Sequence, residues 1–355
     1  MTGTSLDGLD VCALEAAGRG LAASFAVKAF LSKPLGPVGD QLRSLASGQA
    51  MTAGEISRLG LAFGELHAVA IAECAEQAGR PDLVAVHGQT VFHAPPASWQ
   101  FINPWPIARR LGCPIVSDLR GADLSAGGQG APITPLADWL LFRSAIEDRA
   151  VINLGGFCNV TLLPRASGID AVRGLDVCAC NHVLDAAARA ALGLDFDPSG
   201  ENAAKGIPHA TARDSLVGVL TGQSKGGRSL GTGDESTAWV ARWSTELSSA
   251  QLLATAVDAV AQAIASSVRG SGRLIVAGGG AMNLTLVSAI ARHADADAAR
   301  SDQYGIAVTH REAAEMGVLG LLAMDGEPIT LPQVTGRGGA APIAGSWINR
   351  PGATA

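Results

Sequence analysis

The stretch Arg173-Gly-Leu-Asp-Val-Cys-Ala-Cys-Asn-His-Val-Leu-Asp185 decides how this chain is read. Apolar residues at Ile169, Ala171, Val172 and Leu175 predict a short strand over residues 169–175 that delivers Asp176 at its end. A helix is expected to start near Cys180, with Asn181 and Asp185 on one face, four residues apart. A carboxylate at a strand end, facing a helix N-terminus, suits base chemistry beside a phosphate. The same aspartate would equally serve as a plain helix cap, so the flanking sequence has to decide.

The chain has 355 residues, enough for two domains of ordinary size or one two-lobed enzyme. Hydrophobic residues make up 48% and charged residues 16%, which allows a large core and carries no disorder signature. The 44 glycines cluster in short loops without a fixed period, which excludes collagen and points to tight turns near ligands. A net charge of -6 with no basic block argues against nucleic acid as a partner. No apolar run reaches the roughly 18 residues that span a membrane. Met1-Thr-Gly-Thr-Ser lacks the basic region and apolar core of a signal peptide, so the cytoplasm is the expected compartment. Cys12, Cys74, Cys113, Cys158, Cys178 and Cys180 read as small buried hydrophobes rather than a disulfide framework. Cys178-Ala-Cys180 beside His182 lacks the second ligand pair of a structural zinc site.

Outward from the opening stretch, Gly3-Thr-Ser-Leu-Asp-Gly8 is a polar glycine turn, followed by strands over residues 9–17 and 24–31. Such a turn can offer N–H groups and hydroxyls to a phosphate. Helical spacing covers residues 52–78, and a buried strand over residues 83–86 runs into His87-Gly-Gln-Thr90, where open α/β sheets place ligands. The loop from Asp118 to Gly130 holds two carboxylates, Arg120 and four glycines, and reads as functional. Ala150-Val-Ile-Asn-Leu-Gly-Gly156 opens a second hairpin. A strand over residues 274–276 meets Gly278-Gly-Gly-Ala-Met-Asn283 and a helix, the order that lets backbone approach a nucleotide. A helix over residues 309–322 carries Glu312 and Glu315, and everything after Pro328 reads as irregular. Both halves open on a turn between strands, a weak internal duplication. It suggests two lobes that close on a nucleotide and exclude water.

In combination and order, these motifs resemble the anhydro-N-acetylmuramic acid kinases, of the sugar-kinase, Hsp70 and actin-like superfamily. The resemblance covers nearly the whole chain. It is carried by residues 1–10, His87-Gly-Gln-Thr-Val-Phe-His93, Val116-Ser-Asp-Leu-Arg120 through Gly127-Gly-Gln-Gly-Ala-Pro132 and Asn153-Leu-Gly-Gly-Phe-Cys-Asn-Val-Thr161. Phe196-Asp-Pro-Ser-Gly200 with Gly206, Gly278-Gly-Gly-Ala-Met-Asn283, Asp302-Gln-Tyr-Gly-Ile306 and Leu331-Pro-Gln-Val-Thr-Gly336 complete it. It implies an α/β fold of two actin-like (ribonuclease H-like) domains, residues 1–147 and 148–355, with a nucleotide cleft between them and an irregular C-terminal tail. It implies ATP and Mg2+ as cofactors and an anhydro amino sugar as substrate. By position, Asp176 resembles the base that activates water. Thr90, Arg120, Glu315 and Asn181 resemble substrate-binding residues. Gly3, Thr4, Ser5, Asp7 and Gly8 resemble the first phosphate loop, with Asp7 at the magnesium. Asn153, Gly155, Gly156 and Asn159 resemble the second loop, and Gly279, Gly280 and Asn283 the adenosine site. Members of the family often form homodimers.

Three departures stand out. Where the family has Thr-Gly-Pro-Gly-Asn, this chain has Val177-Cys-Ala-Cys-Asn181, which puts side chains where the family brings backbone close. The family's Leu-Gly-Asp-Pro-Ala becomes Phe101-Ile-Asn-Pro-Trp105, and its Lys-Ser-Thr-Gly-Arg becomes Ser224-Lys-Gly-Gly-Arg228. The fold would also place a central strand ahead of Met1, and without it each neighbouring strand would have an unpaired edge. A second reading is therefore a divergent, inactive paralogue that binds nucleotide or sugar, or a kinase for another anhydrosugar. A filament or chaperone module does not explain Thr90, Arg120 and Glu315.

Overall fold

Alternating side chains carry Leu9–Ala17 (β1) against Ser24–Lys33 (β2) as an antiparallel ribbon with a bulge at Ala13/Leu14. This ribbon opens the first of two units, Met1–Leu141 with His310–Ala355; the second is Phe142–Thr309. The computed structural model describes residues 1–3, 6, 8–224 and 235–349.

In the first unit the ribbon is followed by α1 (Pro37–Ala46) and α2 (Ala53–Ala78). A capping box starts α2: the Thr52 side chain accepts from the Glu55 amide while Glu55 reaches back to the Thr52 amide. The α2 residues Leu59, Phe63 and Ala70 are buried with Leu9, Leu42 and Phe101. Next come β3 (Val84–Val86), β4 (Gln89–Ala94), β5 (Ala97–Phe101), α3 (Trp105–Leu111), β6 (Ile115–Ser117), α4 (Gly121–Ser125) and α5 (Pro135–Phe142). β3 and β6 run parallel, and β4 and β5 form their own hairpin.

The second unit begins with β7 (Arg149–Leu154), β8 (Phe157–Leu163), β9 (Arg173–Ala179) and α6 (Asn181–Leu192). It continues through α7 (Ala210–Ser224), α8 (Glu235–Trp243), α9 (Ser249–Ser267), β10 (Arg273–Ala277), α10 (Leu284–Ala294) and β11 (Asp297–Arg300). The sheet order is β11-β10-β7-β8-β9, with β7 parallel to β10 and antiparallel to β8. That order and polarity are those of a ribonuclease H-like, actin-like sheet. Central β7 is buried from Ala150 to Leu154, as a strand covered on both faces must be.

The chain then returns to the first unit with α11 (Arg311–Met324), α12 (Pro332–Thr335) and β12 (Ser346–Ile348). The division therefore departs from the expected 1–147 and 148–355, and the described residues after Pro328 carry two short elements, α12 and β12, in an otherwise irregular stretch. α11 buries Ala314, Val318, Leu319 and Leu322, and β12 pairs antiparallel with β6. Gly320 sits so close to β3 that a Cβ there would lie 2.5 Å from the Ala85 Cβ. The strand expected over residues 169–175 also shifts. Ile169–Ala171 is a 3-10 turn and the strand is Arg173–Ala179, so Asp176 lies within the strand rather than at its end.

Two buried histidines in the first unit set an acid limit. His67 Nδ1 bonds to the Phe63 carbonyl at 2.9 Å, and burial lowers its pKa from 6.5 to about 3. His87 is pushed well below 6.5, first by burial and then by Arg120. Both stay neutral in the folded chain, while the unfolded chain protonates them below pH 6.5. Their share of stability is intact above that pH and is lost as pH falls towards the folded pKa values. We expect stability to drop by up to about 2.7 kcal/mol per pH unit between roughly pH 6 and pH 4 from this pair. Urea midpoints across that range check it, and a flat profile would contradict it.

Candidate active site

Three adjacent strands of the second unit line up the residues around Asp176. Asp176 on β9 lies opposite Asn159 on β8, and Asn159 Nδ2 donates to Asp176 Oδ1 at 2.8 Å. Asn153 on β7 lies opposite Asn159 on its other side, and its Nδ2 donates to Asn159 Oδ1 at 3.4 Å. The carboxylate is thus held as an acceptor at the end of a chain of two amides. A bulge makes this possible: β8 pairs Cys158 with Cys178 and then Asn159 with Asp176, leaving Val177 as the extra residue.

The bulge also settles where the family departure goes. Val177, Cys178 and Cys180 are 6%, 0% and 0% exposed and lie in the hydrophobic core of the second unit. Burial raises the Cys178 thiol to about 12 and pushes Cys180 well above its ordinary value. Asp176 itself is only partly buried. Changing Cys178 and Cys180 together to Gly should therefore lower stability, by about 2–4 kcal/mol from lost packing and added chain entropy. The check is the urea midpoint. A variant as stable as the parent with a higher kcat/KM would return these side chains to the active site.

Gly155 and Gly156 link β7 to β8. The Gly156 carbonyl accepts from the Cys180 amide at 2.8 Å, and the Gly155 carbonyl from the Asn181 amide at 3.0 Å. The His182 amide also points to the Gly156 carbonyl at 3.3 Å. The first amides of α6 are therefore taken by this turn, which corrects the expectation that they face a phosphate. Among the described residues the Gly155 and Gly156 amides make no such backbone bond, so the turn itself can receive an anion. Asn181 braces the turn, its Nδ2 donating to the Leu154 carbonyl at 3.2 Å. It also meets the second glycine turn: a Cβ on Gly280 would lie 2.7 Å from Asn181 Oδ1 and 2.8 Å from the Leu154 Cβ. Only glycine fits there. Gly279 beside it is exposed, and Asn283 caps α10 by accepting from the Leu286 amide at 3.0 Å. Thr285 Oγ1 donates to the Gly200 carbonyl at 2.8 Å, docking the turn after Phe196 onto the same helix start.

The expected sugar-side residues Thr90, Arg120 and Glu315 lie in the first unit. Arg120 donates to the Gly130 carbonyl at 2.7 Å and, through Nε, to His87 Nε2 at 3.4 Å. Thr90 Oγ1 donates to Gln100 Oε1 at 2.6 Å across the β4–β5 hairpin. Asp123, which has no role in the sequence reading, organises the glycine loop. Its Oδ2 accepts from the Gly130 amide at 2.8 Å and its Oδ1 from Thr335 Oγ1 at 2.7 Å. A Cβ on Gly128 would lie 2.1 Å from Asp123 Oδ2, which explains that glycine. The one signal in the sequence was a carboxylate inside a glycine-rich loop. Glu315 is wholly buried and accepts from Arg311, which also donates to Asp138 Oδ1 at 2.6 Å. Burial holds the Glu315 carboxyl well above the usual carboxylate range, against the pull of Arg311.

Gly3 and Gly8 flank the first turn, with the Gly3 carbonyl accepting from the Leu6 amide at 3.2 Å. Thr4, Ser5 and Asp7, and with Asp7 the expected magnesium position, lie outside the described residues, as do Lys225 and Arg228. Among the described residues no group of three His, Cys, Asp or Glu side chains is placed to hold a metal ion. No helix among them is long and apolar enough to cross a membrane.

The sheet order is that of an actin-like domain, and its amide-held carboxylate and glycine turns at strand ends are parts that a phosphotransferase can use. The family profile described as Anhydro-N-acetylmuramic acid kinase matches residues 1–347. The Salinibacter ruber anhydro-N-acetylmuramic acid kinase is 34% identical over 382 residues, spanning 99% of this chain and 96% of its own. Those of Gloeobacter violaceus and Acidiphilium cryptum are 32% and 33% identical, spanning 97% and 100% of this chain and 96% and 98% of theirs. The chain belongs to the anhydro-N-acetylmuramic acid kinase family.

Proposed function

We propose that this protein opens 1,6-anhydro-N-acetylmuramic acid with water and phosphorylates the freed O6 from ATP. The products are N-acetylmuramic acid 6-phosphate and ADP, and the reaction belongs to cell-wall recycling in the cytoplasm. The observation that carries the reading is Asp176, held as an acceptor by Asn159 beside two glycine turns, in a chain of this family. Six free cysteines suit a reducing compartment.

In this mechanism Asp176 takes a proton from the water that attacks C1, and the C1–O6 bond breaks. O6 then accepts the γ-phosphoryl group and ADP leaves. Bound ATP supplies that group, and Mg2+ offsets its charge. The Gly155 and Gly156 amides suit the phosphates, and exposed Gly279 beside the Asn283 cap suits the adenosine. Arg120 and Thr90 would orient the sugar. Glu315, the third expected sugar-side residue, would add a carboxyl contact to the sugar. The test is ADP release from Mg-ATP with and without the anhydro sugar. Sugar-dependent release with formation of the 6-phosphate supports the assignment; nucleotide binding without sugar-dependent release sinks it.

A further inference from the structure

Arg120 is gripped from two sides. Its Nη1 donates to the Gly130 carbonyl at 2.7 Å, and its Nε and Nη2 both reach His87 Nε2 at 3.4 Å. The Gly130 side is fixed in turn by Asp123, which accepts from the Gly130 amide at 2.8 Å. The His87 side is fixed by backbone. β3 ends at Val86, and Gly88 turns the chain at φ +76, so close to β5 that a Cβ there would lie 2.8 Å from the Phe101 carbonyl oxygen. Thr2 Oγ1 then donates to Gln89 Oε1 at 2.7 Å, tying the loop to the first turn. The imidazole is therefore held in place independently of Arg120.

Two properties of His87 are those of an acceptor rather than of a space-filler. A guanidinium carries donors only, so the ring nitrogen that faces it has to be bare and the ring proton has to sit on Nδ1. Nδ1 is buried without a hydrogen-bond partner among the described residues, and His87 is 3% exposed. An apolar side chain would fill the same place without burying an unpaired N–H. What the imidazole adds is the bond to Arg120. Burial and then the charge of Arg120 hold the ring neutral, so the acceptor persists at neutral pH.

We propose that His87 is a positioning residue of the sugar site: as an acceptor at Nε2 it sets the plane of the Arg120 guanidinium, and with it the angle at which Arg120 meets the sugar. This role rests on the reading of Arg120 as a sugar contact. A guanidinium held only by the Gly130 carbonyl can still turn about that bond, and a second attachment removes the rotation before substrate arrives. The sugar then does not have to order the side chain, so the benefit falls on sugar affinity and leaves nucleotide affinity alone.

The test compares His87→Leu, which keeps the bulk and removes the acceptor, with His87→Gln, which places an amide oxygen within reach of the Nε2 position. His87→Leu should raise KM for the anhydro sugar about tenfold or more, with KM for ATP within about twofold of the parent. His87→Gln should bring the sugar KM back to within about threefold of the parent. A histidine that only fills space would give the reverse order, with Leu tolerated and Gln not, and that result would overturn the proposal. A second measurement needs no variant. Nitrogen NMR of the parent should show a neutral His87 ring protonated on Nδ1, and a proton on Nε2 would overturn the proposal. Equal sugar KM values for all three proteins would overturn this role alone. A parent without sugar-dependent ADP release would overturn the functional reading, and this role with it.

Discussion

Asp176→Asn should lower kcat by about 10²- to 10⁴-fold with little change in stability. Asparagine keeps the shape of aspartate and an acceptor oxygen for the Asn159 amide, which now bonds Asp176 Oδ1 at 2.8 Å. The bulged register that pairs Asn159 with Asp176 is therefore undisturbed. What is lost is the base. The amide cannot take a proton from attacking water, and a hydroxide-like nucleophile has to form without help. Binding of nucleotide and sugar should survive, so the loss should appear in kcat more than in KM. Steady-state ADP release, with a urea midpoint on the same preparation, checks both halves. An unchanged kcat would remove Asp176 from the chemistry. Equal losses of kcat and stability would make it a structural residue of β9.

Much of this arrangement can be read from the sequence because it is local. Helical spacing over residues 52–78 announces α2, the Gly155-Gly156 pair announces the β7–β8 turn, and the glycines after β10 announce the start of α10. Asp176 is legible as a carboxylate on a strand. Its position within that strand is not, because the bulge at Val177 breaks the alternation from which strand ends are read. For the same reason Val177 to Cys180 look like an obstruction of the site, whereas they are buried in the core. The paralogue reading rested in part on that obstruction. The C-terminal return is hidden by size, since α12 has 4 residues and β12 has 3. The polar braces of the first unit are hidden by distance. Thr335 and Asp123 are 212 residues apart, and Arg311 and Asp138 are 173 apart. Composition and periodicity report neighbours along the chain, and such pairs form only when the chain returns.

The largest loss of stability is expected where one of those returns buries charge. Arg311, Asp138 and Glu315 have side chains only 4%, 2% and 0% exposed, and the one guanidinium donates to both carboxylates. Arg311→Met should cost about 3–5 kcal/mol, because two acids lose their shared cation where water cannot replace it. The pH dependence follows from Glu315. Burial already holds its carboxyl well above the usual carboxylate range, and removing Arg311 takes away the main opposing pull. A group with a raised folded pKa stabilises the fold when protonated, so the deficit should shrink as pH falls from 7 towards 5. The loss from His67 and His87 is common to both proteins and cancels when variant and parent are compared at each pH. Neutralising the whole cluster, with Arg311→Met, Asp138→Asn and Glu315→Gln combined in one triple variant, should recover most of the loss, since no unpaired charge is left. Glu315→Gln alone separates the two duties proposed for this residue. It keeps the Arg311–Asp138 pair, so stability should change little, and a raised KM for the sugar would then report lost substrate contact. If Arg311→Met lay within about 1 kcal/mol of the parent at pH 7, the guanidinium would contribute packing more than charge.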